Sequence, residues 1–290
     1  MWSWTKLSSL QWEDAWSERI AGNPNAVIEK IKGGKTIRIT LYCESEEEVI
    51  VLKEYFGGSV REVKTHDWVS TQNREKKPPL RIRSKLLVTE QTEPTCINAL
   101  MTKFPGRAIL SIPAEMAFGT GDHATTSTCL RFISDFAHDH RKEDWQITDI
   151  GCGTAVLSIA AILLGASHAS AFDFDGIAVD VAIKNAKRNG LTPHQIDIFK
   201  ADVFEWIPES TQKGKLVVAN LFSTILQKAF PRIISAMLPE ATLIISGILA
   251  EQWEDTRTAA KACGLSFPDV IKKGKWVTAK GFLENSISHP

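Results

Sequence analysis

The chain has 290 residues, 43% hydrophobic and 23% charged, the balance of a globular protein able to bury a core and carry a second, smaller domain. Lys+Arg and Asp+Glu are both 34, which excludes a general basic field that would recruit nucleic acid or a membrane surface. Five scattered cysteines (Cys43, Cys96, Cys129, Cys152 and Cys263) form no C-x-x-C pair and read as reduced thiols, not as a disulfide frame or zinc site. No apolar run reaches spanning length and residues 1–9 lack a signal-peptide core, so a cytoplasmic protein without membrane contact is expected.

In chain order, residues 4–9 read as a strand and 11–21 as an amphipathic helix with Trp12, Trp16 and Ile20 on one face. Residues 26–31 and 36–42 flank a Gly33-Gly34 turn and predict a hairpin. Ser45 is placed to cap a helix through Phe56, with Glu48 as its capping-box partner, and 60–64 makes a further strand. The order β-α-β-β-α-β predicts a small ferredoxin-like α+β domain over residues 1–66. Its tryptophans (2, 4, 12, 16, with Trp68 beyond) read most simply as packing.

Residues 67–80 are read as a linker that overlaps a polar, basic stretch, 69–86, broken by Pro78-Pro79. The solvated reading stands beside a contact with RNA or an acidic partner. Strands over 86–88 and 107–112 lead into a second domain, 81–290. Phe118-Gly119-Thr120-Gly121 is a loop, after which Thr125 or Thr126 caps a helix running to Phe136. His123 is a base or ligand candidate, although a lone loop histidine is usually just solvated. The nearby His138-Asp139-His140 cluster has no third ligand beside it, so no metal is expected.

Residues 147–150 form a strand that stops at Gly151-Cys152-Gly153, residues 155–164 form a helix without a polar face, and 168–174 form a second strand ending in Asp173 and Asp175. Strand, glycine turn, helix, strand, acid is the opening unit of a doubly wound nucleoside-binding sheet. The glycines admit close backbone approach, and an acid at the second strand's end can accept both ribose hydroxyls. Asp173 is the candidate, with Asp175 the alternative. Val156 stands where a dinucleotide fingerprint wants a third small residue, so the turn suits S-adenosylmethionine better than NAD while matching neither pattern fully.

Beyond this unit, 176–189 is a helix and 196–199 a strand followed by Asp202. Residues 216–219 form a strand delivering Asn220, and 225–238 a helix that Pro231 should break or kink. Residues 242–246, 267–272 and 276–281 complete the set, with a helix over 251–263. This is the seven-stranded methyltransferase (Rossmann-like) variant of the doubly wound α/β sheet, and Gly151, Asp173, Asp202 and Asn220 all fall at carboxyl ends of its strands.

With AFGTGDHATT, DIGCGTAVLSIA, AFDFD, VVANL and SGILAEQ in view, the chain resembles the ribosomal protein L11 lysine methyltransferases over nearly all of residues 107–290. The resemblance implies that Thr126, Gly151, Gly153, Asp173 and Asn220 contact S-adenosylmethionine and that the N-terminal domain holds a ribosomal protein substrate. A monomer with no direct nucleic-acid binding is expected. The family usually has Gly where Ala155 stands. Asp202 is a candidate adenine contact, and Asn220 the candidate catalytic residue that orients the amine. The same residues also fit methylation of another protein or a small amine, or a binding module with little activity.

Overall fold

The computed structural model describes residues 2–20, 25–31, 34–43, 45–62, 78–113 and 123–284. They fall into two compact units, residues up to 62 and residues from 78 onward. Trp68, most of the segment read as linker, and Phe118-Gly119-Thr120-Gly121 lie outside the described residues.

The first unit runs β1 (Trp2–Ser9), a 3-10 turn (Leu10–Trp12), α1 (Glu13–Arg19), β2 (Ala26–Lys30), β3 (Thr36–Cys43), α2 (Glu46–Phe56) and β4 (Ser59–Glu62). Its sheet order β2-β3-β1-β4, antiparallel throughout, is the split βαβ arrangement. Ile37, Ile39 and Leu41 alternate inward from β3 onto Val49 and Leu52 of α2. Trp4 lies under them, packed on Trp16 and Phe56, and its indole N–H donates to the Gly57 carbonyl at 2.7 Å. Trp12, expected on the inner face, is exposed instead because the 3-10 turn delays α1 by two residues. Ser45 caps α2 by accepting from the Glu48 amide at 3.3 Å.

The second unit opens with β5 (Leu80–Ile82), β6 (Leu86–Thr89), α3 (Pro94–Lys103) and β7 (Ala108–Ser111), a three-stranded sheet in that strand order. Strand β5 lies within the stretch read as solvated, and Ile82 and Leu86 are fully buried. Alternation explains the miss. Ile82 points inward while Arg83 reaches outward to clasp Asp135 through two bonds of 2.8 and 2.6 Å, so charge and prolines masked the period of two. Helix α3 was unread because none of its residues is buried.

There follow α4 (Ala124–Asp139), β8 (Gln146–Ile150), α5 (Val156–Leu163), β9 (His168–Asp173), α6 (Gly176–Arg188), β10 (Ile196–Lys200) and β11 (Gly214–Asn220). Then come α7 (Ser223–Ser235), β12 (Met237–Leu249), α8 (Trp253–Ala262), β13 (Leu265–Lys273) and β14 (Trp276–Leu283). The seven strands are ordered β10-β9-β8-β11-β12-β14-β13, with β14 antiparallel to both neighbours and the β8–β12 pairings all parallel. The chain winds outward one way from β8 and returns the other way from β11, so the two carboxyl ends open a crevice between them. Separate apolar clusters cover the two faces, one carrying Leu130, Ile133, Ile159 and Ala182, the other Leu226, Phe230, Ile233 and Ala260. Helix α7 runs on through Pro231 without the expected break.

Candidate functional site

The Gly151 and Cys152 amides both donate to the Phe172 carbonyl at 2.9 Å, pinning the turn after β8 to the last residues of β9. Gly151 sits at φ 72°, where an L side chain is strained, and a Cβ there would stand 2.4 Å from Leu221 Cδ2, so glycine lets the Leu221 side chain lie directly on this turn. Ala155 is held at φ 58°, ψ 22°, the left-handed region. An L side chain there costs about 1–2 kcal/mol, which is why glycine is the usual occupant.

Asp173 ends β9 with both carboxylate oxygens on the turn backbone. Oδ2 accepts from the Gly153 amide at 2.9 Å and Oδ1 from the Asp175 amide at 3.0 Å. A carboxylate oxygen has two acceptor lone pairs, so a hydroxyl donor can join a backbone one there. Asp175, the alternative, is buried and caps α6 by accepting from Ile177 at 3.0 Å. Asp202 lies beside them, since the Ala201 amide donates to the Asp173 carbonyl at 3.1 Å. Its Oδ1 closes a turn on the Phe204 amide at 2.9 Å.

Asn220 ends β11, paired with Ser246 of β12 and one step beyond the Ala219–Ile150 pairing. Its Nδ2 donates to Thr125 Oγ1 at 3.4 Å, which turns Oδ1 away as an acceptor. The cap of α4 is neither Thr125 nor Thr126, as expected from sequence, but His123, whose Nδ1 accepts from the Thr125 amide at 3.4 Å. Its ring meets Trp276 edge-on, with centroids 5.1 Å apart. Threonines 125 and 126 instead occupy the first turn. Thr126 is 1% exposed, and its hydroxyl has no partner among the described residues, a deficit of about 1–3 kcal/mol unless a ligand fills it. The structure thus brings Gly151, Gly153, Asp173, Asp202 and Asn220 to one rim, with Thr126 one residue from Asn220's partner.

Two residues not singled out from sequence shape this rim. Gly247, at φ 82° in a bulge of β12, lies directly beneath the residue after Asn220: a Cβ would stand 2.6 Å from the Leu221 carbonyl oxygen. Backbone cannot yield as a side chain does. Gly247→Ala is therefore expected to cost about 2–4 kcal/mol by combined strain and overlap, read as a lowered midpoint in urea denaturation.

The second is Asp149, fully buried on β8, where Ser158 Oγ donates to Oδ2 at 2.6 Å and Oδ1 has no partner among the described residues. Burial, reinforced by the Asp173 charge and opposed by the Ser158 hydrogen bonds, pushes its carboxyl up to about 6. The folded chain therefore keeps a proton that the unfolded chain releases near pH 4. Stability should fall as pH rises between about 4 and 6, by about 3 kcal/mol for a shift from 3.8 to about 6. Asp149→Asn, which mimics the protonated form, should lack that slope in denaturation curves taken at pH 4, 5, 6 and 7.

Among the described residues no helix is long and apolar enough to cross a membrane, and no group of three or more His, Cys, Asp or Glu is arranged to hold a metal.

A sequence model described as ribosomal protein L11 methyltransferase matches residues 24–282. A ribosomal protein L11 methyltransferase of Pelotomaculum thermopropionicum is 31% identical over 262 residues, 89% of this chain and 80% of that one. One from Caldanaerobacter subterraneus is 31% identical over 219 residues, 76% of this chain but only 65% of that relative's length, so the chain spans less than two thirds of it. The crystal structure of a ribosomal protein L11 methylase from Lactobacillus delbrueckii subsp. bulgaricus superposes with a TM-score of 0.59 at 22% identity. It covers 71% of this chain and 99% of that one, and supports the fold.

Proposed function

The chain belongs to the ribosomal protein L11 methyltransferase family, and we propose that it transfers methyl groups from S-adenosylmethionine to lysine, and in the same way N-terminal, amines of ribosomal protein L11. The observation that carries the reading is the rim between β8 and β11, where a glycine floor, a carboxylate and an amide converge. Three features fit the cofactor. The Asp173 carboxylate can accept from ribose hydroxyls, Gly151 presents its backbone at the carboxyl end of β8 with no side chain of its own, and the buried Thr126 hydroxyl has no partner among the described residues. Asp202 is proposed as the adenine-side contact, through the carboxylate oxygen its turn leaves over.

The bound cofactor would supply a methyl group activated by a sulfonium. The chain's own task is to present a neutral amine to it. A free lysine has pKa about 10.4, so neutralising it at pH 7 costs ~4–5 kcal/mol. Leu221, half-buried beside the glycine floor, would remove water from the ammonium and so favour loss of its proton. Asn220 Oδ1 would then accept an N–H of the neutral amine and aim its lone pair.

We assign the N-terminal split βαβ unit, read from sequence as residues 1–66, to holding the ribosomal protein, and the unit from residue 78 onward to transfer, with the segment between them as the join. The chain would act as a monomer on its protein substrate, without nucleic acid. The test is transfer of labelled methyl from S-adenosylmethionine into ribosomal proteins by the purified chain. Label in ribosomal protein L11, at lysine or the N-terminus by mass spectrometry, is expected. Label confined to another protein or to small amines would overturn the assignment.

A further inference from the structure

Lys273 ends β13 and begins the tight connection to β14. Because β14 runs antiparallel to both β12 and β13, β13 points the same way as β12, and Lys273 emerges at the rim where Asn220 stands. Its Nζ reaches 146 residues back along the chain to donate to Ser127 Oγ at 3.0 Å. From the next turn of α4, Arg131 Nη1 approaches the carbonyl of the same serine at 3.5 Å. Two cations from different elements thus meet on one buried residue. That residue lies one position from Thr126 and two from Asn220's partner Thr125.

Neither cation pairs with a carboxylate among the described residues. Their mutual charge is left uncompensated, and desolvation together with the neighbouring Arg131 guanidinium holds the ammonium of the exposed Lys273 below its usual range. Holding like charges together costs free energy unless an anion arrives to share them. We propose that Lys273 and Arg131, joined through Ser127, form a binding site for one acidic side chain of the methyl acceptor, close to the amine being modified. The inference rests on the protein-acceptor reading above. A carboxylate suits the site better than an RNA strand: two cations and one hydroxyl match a single anion, an arginine fork fits carboxylate geometry, and a chain with 34 charges of each sign offers no continuous track.

The test has two arms. In the first, inorganic phosphate serves as probe: thermal unfolding of the full chain should shift upward saturably at millimolar phosphate. The shift should be lost in Lys273→Gln and in Arg131→Gln, and kept in Lys184→Gln, which removes a remote exposed charge. Equal shifts in all four proteins would overturn the site. In the second arm, Lys273→Gln and Arg131→Gln should raise KM for isolated ribosomal protein L11 about tenfold, with calorimetric Kd for S-adenosylmethionine within twofold. Arg131→Lys should recover part of the loss. An unchanged KM would overturn the acceptor assignment, as would an effect seen only when ribosomal RNA is present, which would transfer the site to phosphate of the nucleic acid. Should the wild-type chain methylate no ribosomal protein, the functional reading fails by itself, while the phosphate arm still decides whether the anion site exists.

Discussion

Asn220→Ala is expected to lower kcat for methyl transfer about 100-fold or more while changing Kd for S-adenosylmethionine by less than tenfold. The amide stands at the end of β11 with Nδ2 committed to Thr125, so its oxygen is fixed as an acceptor before any amine arrives. A neutral amine aimed by one such bond loses alignment when the bond is removed, and misplacement on the order of 1 Å costs about two orders of magnitude. The strand itself should survive, because Val217, Val218 and Ala219 carry the burial of β11 and Asn220 is only half-buried. Single-turnover kinetics with saturating cofactor separates the two effects. A kcat within threefold of wild type would remove Asn220 from the chemistry.

Asp173→Ala should act on the other half of the site, raising Kd for S-adenosylmethionine about 100-fold. One carboxylate here has two duties. It holds the Gly153 and Asp175 amides, which shape the turn, and it stands at the carboxyl end of β9, beside the crevice. Hydrogen bonds to a charged acceptor contribute about 1.5–3 kcal/mol each, and 1.4 kcal/mol is tenfold in affinity, so losing one ribose contact and a shaped turn together reaches two decades. Asp173→Asn should recover little, since its NH2 would face a backbone donor. Calorimetry with an affinity within twofold of wild type would reassign the ribose contact, and Asp175, already spent on capping α6, would be a poor replacement.

Much of this architecture was legible because it rests on local patterns. The apolar run of β8, the glycine turn and the unrelieved apolar face of α5 mark a buried strand–turn–helix unit, and every residue from Val156 to Ile162 is indeed buried. Even its one hydroxyl is accounted for, since Ser158 bonds Asp149. What escaped was long-range or outwardly disguised. Strand β5 hid behind arginines, one of which, Arg83, has its partner Asp135 52 residues away. The α4 cap was assigned to a threonine because threonine caps more often than histidine, and only Trp276 packing on His123 reveals the choice. Gly247 fell just past the strand read over 242–246, and its bulge matters only through contact with Leu221. The meeting of Lys273 with Ser127 joins residues 146 apart in the sequence, and no periodicity announces it.

The most direct measurement is a crystal structure of the full chain soaked with S-adenosylhomocysteine. The account predicts the ligand between the ends of β8 and β11, its ribose hydroxyls on Asp173, a polar contact to Thr126 Oγ1, and its sulfur facing Asn220. A ligand lodged elsewhere, or one whose ribose ignores Asp173 and leaves the Thr126 hydroxyl unpartnered, would contradict it.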